Sequence, residues 1–226
     1  MKDYSAPSHF RDDTNDREIW EHVFQLDEYQ LPDDLSGKTI LDIGAHIGSF
    51  AALCLHRRAA RIYCFEPNID SFQLLQQNLA DDLDKVTLSN AAVYSSVTLH
   101  HTHSGGANSG GNSLWPERRG FGQPQNRYAC WSIPLDDILR TIGHVDLLKI
   151  DVEGSEFPIL LRSKELHRVD RIYGEWHEAE QAPEAVNGSW EWRVEMIRDY
   201  LAKFSFRMHW WPAQGELGLF QATRES

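Results

Sequence analysis

The sequence has few cysteines, no long apolar run and fewer basic than acidic residues, and each shortage excludes a class of protein. Its three cysteines are Cys54, Cys64 and Cys130, which form no C-x-x-C pair and lie in or beside apolar stretches. An odd number of dispersed cysteines does not predict a disulfide framework or a zinc site. We interpret them as buried, reduced thiols of a cytoplasmic protein.

The lack of long apolar runs and the shortage of basic residues limit the kinds of partner that the protein can bind. No stretch approaches the ~20 apolar residues of a membrane-spanning helix, and the first residues lack the apolar core of a secretory signal. Lys and Arg number 22 against 34 Asp and Glu, for a net charge of −12. Nucleic-acid binders normally present a basic face, so we predict no nucleic-acid partner and no membrane contact.

A strand, a glycine-containing turn and a helix are predicted near residue 45. Residues 40–48 have the sequence ILDIGAHIG, in which Asp42 precedes Gly44 and Gly48 follows four residues later. A dinucleotide fingerprint is G-x-G-x-x-G, and this turn does not have it. An acidic residue at a strand end suits a ligand with cationic groups better than a pyrophosphate.

Strand-like and helix-like segments alternate along most of the chain, which has 226 residues, enough for one α/β domain. Strands are predicted over 38–43, 61–65, 86–89, 145–150, 168–176, 204–211 and 217–223. Helices are predicted over 18–29, 48–56, 70–79, 154–161 and 190–201. This pattern predicts a doubly wound, mostly parallel seven-stranded sheet of Rossmann-like α/β class, with one antiparallel strand at its edge.

Two segments interrupt this rhythm. Residues 1–35 form an N-terminal arm and helix, a candidate substrate cap, in which residues 1–17 are predicted either to be disordered or to order over a ligand; the main domain is 36–226. An insertion at about 94–134 contains a Gly- and Ser-rich stretch over 104–113, which is typical of a flexible loop. We predict a strand pair that carries a mobile substrate loop.

Acidic residues end three of the predicted strands: Asp42, Glu66 and Asp151. Ligands of doubly wound sheets bind beyond the carboxyl ends of the strands. Glu66 follows Asp42 at close to the ~20-residue offset at which an acid meets a ribose hydroxyl in nucleotide-binding units. An ordinary tight turn and a helix N-terminal acid are the simpler explanations of Asp42 and Asp151.

Five segments together resemble one enzyme family. They are LDIGAHIG at 41–48, FEPN at 65–68, NAAV at 90–93, LDDI at 135–138 and LKIDVEGSE at 148–156. This set, in this order over about 38–177, resembles the FkbM family of S-adenosylmethionine (SAM)-dependent methyltransferases. The resemblance implies a class I methyltransferase fold, SAM as cofactor and O-methylation of a sugar or natural product.

The resemblance also implies a cofactor site. Asp42, Gly44, Ala45 and Gly48 would line the methionine end of SAM, Glu66 would hold the ribose, and residues near 68 and 90 would approach the adenine. His46 departs from the small or Asn-like residue expected there and would face the cofactor carboxylate. The cofactor-binding residues so implied are Asp42, Gly44, Ala45, His46, Gly48, Glu66, Pro67, Asn68, Asn90, Ala91 and Asp151.

Methyl transfer to a hydroxyl needs a base or a metal ion that lowers the hydroxyl pKa. Asp151 is the first catalytic candidate and Glu153 the second, and the next strand end adds Glu175 and His177. Asp151, Glu175 and His177 together suit a base relay or a divalent-cation site, with Mg²⁺ as the candidate ion. The same carboxylates also suit an amine or guanidine acceptor.

Other functions remain open at this point. A nicotinamide-dependent oxidoreductase could use a similar sheet, although the turn lacks the dinucleotide fingerprint. A module that binds SAM without catalysis would have the same cofactor motifs. We expect a small-molecule acceptor, whose identity the sequence does not reveal, and leave a homodimer as an open expectation.

Overall fold

A seven-stranded sheet forms the centre of the molecule, whose computed structural model describes residues 4–105, 107–114, 127–214 and 217–225. In chain order its strands are β1 (Thr39–Ile43), β2 (Arg61–Phe65), β3 (Val86–Ser89), β8 (Val145–Ile150), β9 (Val169–His177), β10 (Phe206–Gln214) and β11 (Leu217–Arg224). They are ordered β10-β11-β9-β8-β1-β2-β3. The neighbours from β9 to β3 pair in parallel, which confirms the predicted sheet.

The antiparallel strand is not at the edge, where we predicted it. Strand β11 lies between β9 and β10 and is antiparallel to both. Strand β10 takes the edge because it contains Pro212, which has no N–H for a second ladder and is therefore tolerated on an edge strand.

Helices cover both faces of this sheet. They are α2 (Ser49–His56), α3 (Ile69–Asn78), α4 (Leu135–Ile142), α5 (Glu156–Leu160) and α6 (Val194–Leu201). Successive side chains of β1 point to opposite faces. Accordingly Ile40 packs in the hydrophobic cluster that includes α2 and α3, whereas Leu41 and Ile43 pack in the cluster that includes α4, α5 and α6.

The N-terminal region from residue 4 is packed onto the domain. Helix α1 (Asp16–Trp20) continues into a π-helical turn at Glu21–Gln25, so the helix is shorter than the predicted 18–29. Positive φ angles of 49° at Asp27 and 51° at Gln30 end it. The side chains of Trp20 and Tyr29 are buried in the cluster that contains α2. The described residues of the arm therefore pack as part of the domain.

The insertion is present as predicted, but its strands form a second, four-stranded sheet rather than a single pair. Its strands are β4 (Ala92–Tyr94), β5 (Leu99–Gly105), β6 (Asn108–Ser113) and β7 (Arg127–Pro134), in the order β4-β7-β5-β6. The Gly- and Ser-rich stretch forms β6 because Asn15 of the arm binds it: Ser109 N donates to Asn15 Oδ1 at 2.9 Å. Gly110 leaves room for Ile19, which a Cβ would approach to 2.8 Å. Residues 106 and 115–126 of the predicted loop lie outside the described residues.

Two further sequence expectations can be compared with the described part of the chain. Cys54, Cys64 and Cys130 are buried and form no disulfide. None of the helices described is long and apolar enough to cross a membrane.

Candidate active site

A buried ion pair lies where β1 meets β8. Asp42 and Lys149 are register partners on these neighbouring strands, and Lys149 Nζ lies 3.4 Å from Asp42 Oδ1. Lys149 Nζ also donates to the Gly44 carbonyl oxygen at 2.6 Å. Burial raises the pKa of Asp42. Burial alone would lower the pKa of Lys149, but Asp42 and Asp151 raise it overall, so the lysine holds the turn after β1 as a cation.

Asp151 follows β8 at the same end of the sheet. Its backbone N–H donates to the Ile43 carbonyl at 3.2 Å. Its Oδ2 accepts from the Tyr29 hydroxyl at 3.3 Å and lies 3.8 Å from Lys149 Nζ. The arm therefore touches the first catalytic candidate directly.

Two glycines let the turn after β1 pack closely. A Cβ on Gly44, whose φ is +81°, would lie 1.8 Å from the Asp151 carbonyl oxygen. A Cβ on Gly48, at φ +99°, would lie 2.9 Å from Leu75 Cδ1 in α3. A cavity that we call the main cleft opens at this end of the sheet. Gly44 and Ala45 line it, whereas Gly48 packs against α3.

Glu66 follows β2 and lines the same cleft. Its Oε2 accepts from the His46 backbone N–H and its Oε1 from the Asn68 backbone N–H, each at 2.8 Å. Burial raises the pKa of Glu66 to about 7 against the effect of these two bonds. Each oxygen keeps a second lone pair, so the carboxylate can accept two further hydroxyl groups.

The neighbours of Glu66 support the loops. Asn68 caps α3, because its Oδ1 accepts from the backbone N–H groups of Asp70 and Ser71. Asn90 Nδ2 donates to the carbonyl oxygens of Glu66 and Pro67 at 2.9 and 3.2 Å. Of the four predicted residues Pro67, Asn68, Asn90 and Ala91, only Pro67 lines the cleft. The described contacts thus give Asn68 and Asn90 a structural role beside Glu66.

His46 connects the turn to the arm and to β6. Its Nε2 lies 3.2 Å from Arg11 Nη2, 3.1 Å from Ser109 Oγ and 3.4 Å from Asp16 Oδ1. Burial lowers the pKa of His46 to about 4, so the ring is neutral at pH 7. Because the Arg11 guanidinium can only donate, Nε2 accepts and the proton lies on Nδ1. His46 lines the cleft, and no described residue bonds to Nδ1.

Two residues that follow β8 and two at the end of β9 form a second cluster. His177 Nδ1 lies 3.1 Å from Glu156 Oε1, while its Nε2 lies 3.4 Å from Glu153 Oε2 and 3.5 Å from Glu175 Oε2. Burial and then the charge of Asp151 raise the pKa of Glu175 to about 9. Burial alone would lower the pKa of His177, but Glu156 and Glu153 raise it to about 9.

Two adjoining cavities open at this end of the sheet. The first, the main cleft, has an empty volume of about 860 Å³ including its open mouth, and is lined by Gly44–His46, Glu66 and Lys149 among others. The second, about 740 Å³, is lined by carboxylates. These are Glu18, Glu28, Asp151, Glu153 and Glu175. Asp151 and Glu153 line both cavities and stand at their junction.

Sequence reasoning missed four residues of this site. Lys149 and Glu156 lay inside a quoted motif, and the rule that neighbouring strand ends meet could have assigned Lys149 to Asp42. Glu28 and Tyr29 line both cavities, but they belong to the arm. The arm was predicted as a possible substrate cap, but none of its residues was assigned to the site.

Comparison with known proteins identifies the family. The family model described as the methyltransferase FkbM domain matches residues 42–208, which is most of the chain. The chain belongs to the FkbM methyltransferase family. This confirms the sequence resemblance and counts against the oxidoreductase alternative. No protein of curated function matches the sequence.

Solved structures share the fold of this FkbM chain. An FkbM methyltransferase from Methylobacillus flagellatus has 16% identity and a TM-score of 0.54 over 89% of this chain and 47% of its own. A Listeria monocytogenes protein assigned as an S-adenosylmethionine-dependent methyltransferase has 10% identity and a TM-score of 0.54, over 93% and 100% of the two chains. A precorrin-6y methyltransferase from Geobacter metallireducens has 13% identity and a TM-score of 0.50, over 96% and 93%. The chain thus spans about half the length of its Methylobacillus relative, and these likenesses show a class I methyltransferase fold.

The residues of the main cleft fit the SAM that an FkbM fold implies. Glu66 offers two oxygens with spare lone pairs to a ribose diol. His46 offers an unpartnered Nδ1–H to an acceptor such as a carboxylate.

Proposed function

We propose that this FkbM chain transfers a methyl group from SAM to a hydroxyl of a small molecule. The observation that carries the proposal is the junction of the two cavities, where Asp151 and Glu153 face both. One cavity fits the methyl donor and the other is open to an acceptor. A carboxylate at their junction stands where a proton must leave as the methyl group arrives.

The main cleft would orient the cofactor through three groups. Bound SAM supplies an electrophilic methyl group on a sulfonium. Glu66 would accept hydrogen bonds from the two ribose hydroxyls, and His46 Nδ1–H would donate to the amino-acid carboxylate. Lys149 fixes the Gly44 carbonyl at 2.6 Å, which holds the turn that approaches the methionine end.

The second cavity would bind the acceptor. Asp151 accepts the hydroxyl proton as the new oxygen–carbon bond forms and the carbon–sulfur bond breaks, which leaves a methyl ether and S-adenosylhomocysteine. Tyr29 orients Asp151 through its hydrogen bond to Oδ2. Because the transfer is in line, small errors in this alignment lower the rate strongly.

N-methylation is the second candidate, and the charge of the second cavity favours it. The carboxylates that line this cavity would attract an amine or guanidinium and hold it next to the methyl donor. A neutral amine must react, so Asp151 would again accept the proton. A SAM-binding module without catalysis would use the same cleft and leave the second cavity idle.

The test is calorimetric titration with SAM, S-adenosylhomocysteine and NAD, followed by release of S-adenosylhomocysteine with polyols, sugars, amines and guanidines. We expect binding of SAM and its product but not of NAD. Glu66→Ala should weaken SAM binding strongly, whereas Glu175→Ala should spare it and lower turnover by about 10²–10⁴-fold. Glu191→Ala, at an exposed side chain, is the matched control and should change neither.

Three outcomes would contradict the proposal. Binding of NAD without SAM would restore the oxidoreductase alternative. Tight SAM binding with no transfer to any acceptor would leave a binding module. Turnover on amines alone would replace the hydroxyl with nitrogen as the acceptor atom.

The remaining expectations about partners and compartment are part of the proposal. We propose a cytoplasmic enzyme because its three cysteines are buried and unpaired. We further propose that it acts without nucleic-acid or membrane partners, as the net charge of −12 favours.

A further inference from the structure

The geometry points to a divalent-cation site, formed by Glu153, Glu175 and His177, at the wall of the second cavity. One ligand atom of each residue lies within 4.8 Å of the others. Two oxygens and one imidazole nitrogen form a ligand set that suits a first-row cation such as Mn²⁺ better than Mg²⁺, which prefers oxygen alone. Asp151, which the sequence placed in this set, instead faces Lys149 and Tyr29.

The imidazole is prepared as a ligand by a buried partner. Glu156 is fully buried, and its carboxylate accepts from the backbone N–H groups of Val152 and Gly154 at 3.0–3.2 Å. Glu156 Oε1, which accepts from Val152, also accepts from His177 Nδ1–H at 3.1 Å. His177 Nε2 then faces Glu153 and Glu175, and an ion that binds there displaces the Nε2 proton. A carboxylate that orients a histidine in this way is the usual outer partner of a metal ligand.

The spacing of the three donor atoms fits a shared ion better than direct contact. His177 Nε2 is 3.4 Å and 3.5 Å from the two carboxylate oxygens, longer than the ~2.7–2.9 Å of a charge-assisted hydrogen bond. Ligand atoms around one cation at about 2.1 Å stand about 3.0 Å apart in octahedral and about 3.4 Å apart in tetrahedral geometry. Both nitrogen–oxygen separations are close to these values.

A second cluster of described residues has similar side chains but is less suitable for a metal ion. His144, Asp146 and Asp170 are also close together. However, Lys38 Nζ lies 2.8 Å from Asp146 and Arg224 Nη2 lies 2.7 Å from Asp170. Cations of the chain already neutralise these two carboxylates. At the proposed site, Glu153 and Glu175 face the imidazole of His177.

The position of the site gives the ion a role that rests on the proposed function. Glu153 and Glu175 line the second cavity, whereas His177 is only 2% exposed behind them. Three protein ligands leave coordination positions open toward the cavity, as in catalytic rather than structural metal sites. An acceptor hydroxyl bound there would have its pKa lowered and lose its proton to Asp151 more readily.

The test measures Mn²⁺ binding to the full chain without SAM, by calorimetry and by loss of the free-ion electron paramagnetic resonance signal. We expect one Mn²⁺ per chain. Glu153→Gln and Glu175→Gln should each weaken binding at least about 10-fold, since even outer-partner changes cost 10–100-fold. Asp170→Asn, a matched loss of one carboxylate from the other cluster, should leave binding unchanged. Thermal unfolding of each variant confirms that it is folded.

Each alternative result would overturn the site. Absence of Mn²⁺ binding, unchanged binding in both glutamine variants, or loss of binding in Asp170→Asn would show that these residues hold no ion. Tighter binding of Mg²⁺ than of Mn²⁺ would contradict the nitrogen ligand. Because SAM is absent from this measurement, a failed metal site remains distinguishable from failed SAM binding in the separate cofactor titration.

Discussion

The central sheet is stabilised mainly by apolar burial, whereas the cap that covers it adds a buried polar network to its apolar contacts. We define the cap as residues 4–35 together with strands β4–β7. In the sheet, apolar side chains alternate between two large clusters, and strands such as β8 are almost wholly buried. Where the arm meets β6 and the turn after β1, polar contacts join the parts: Arg11, Asp16, His46 and Ser109 bind one another.

The contrast explains where binding can be adjusted. Burial of apolar surface is non-directional and stabilises the sheet whatever ligand lies above it. A buried polar network is directional, and removing one member leaves its partners unsatisfied. The carboxyl edge of the sheet therefore gives a fixed base, whereas the cap is the part whose closure can depend on a few atoms.

Gly44→Ala should destabilise the central sheet and should have the largest effect of these substitutions. The new Cβ would lie 1.8 Å from the Asp151 carbonyl oxygen, and φ of +81° is unfavourable for alanine. We expect a loss of more than about 4 kcal/mol in the free energy of unfolding, in the exceptional range for one substitution. Denaturant unfolding measures it.

Gly37→Ala is the matched control. Its φ of +76° is nearly the same, but no atom lies within 4 Å of the added Cβ. Only the backbone cost of about 1–2 kcal/mol should remain. Equal losses in the two variants would show that close packing of the turn against β8 does not matter.

The sheet was the predictable half. The predicted bounds of β2, β3 and β8 are those observed, because alternating or continuous apolar runs determine which residues can be buried. The order of β10 and β11 was not predicted. The edge strand leaves one side without ladder hydrogen bonds, and β10 suits that position because Pro212 has no N–H to donate.

The cap was not predictable for a physical reason. The sequence NSGGNS of β6 has no apolar period, and its strand depends on pairing with β5 and on contacts with Asn15 and Ile19 of a distant segment. The site divides similarly. Asp42, Glu66 and Asp151 could be placed from strand ends, whereas Tyr29 and Glu28 reach the cavities through the arm.

Asp16→Asn should open the cap while leaving the sheet folded. Asp16 is buried and accepts from Arg11 and Ser109, and these contacts outweigh burial to lower its pKa to about 2. Breaking a buried ion pair costs about 3 kcal/mol, or about 100-fold in the open population. Hydrogen exchange of residues 4–35 should accelerate by that factor, with exchange of β8 unchanged.

Asp13→Asn makes the same change at an exposed site of the arm and should have no effect. Equal acceleration in the arm and in β8 would mean that cap and sheet unfold together.

Glu66 joins the two halves, and its titration should have the smallest effect. It takes one hydrogen bond from His46, which contacts the cap, and one from Asn68, which caps α3. Its pKa is raised to about 7, so the carboxylate is ionised above that pH and protonated below it. If the ionised form accepts hydrogen bonds from the ribose hydroxyls, the Kd for SAM should rise about 10-fold from pH 8 to pH 6, since each pH unit below the pKa lowers the ionised fraction by a factor of about ten.

The amino group of SAM titrates in the same range, so the same titration with Glu66→Gln isolates the carboxylate. A pH dependence that persists unchanged in that variant would assign it to the ligand and remove Glu66 from the ribose site.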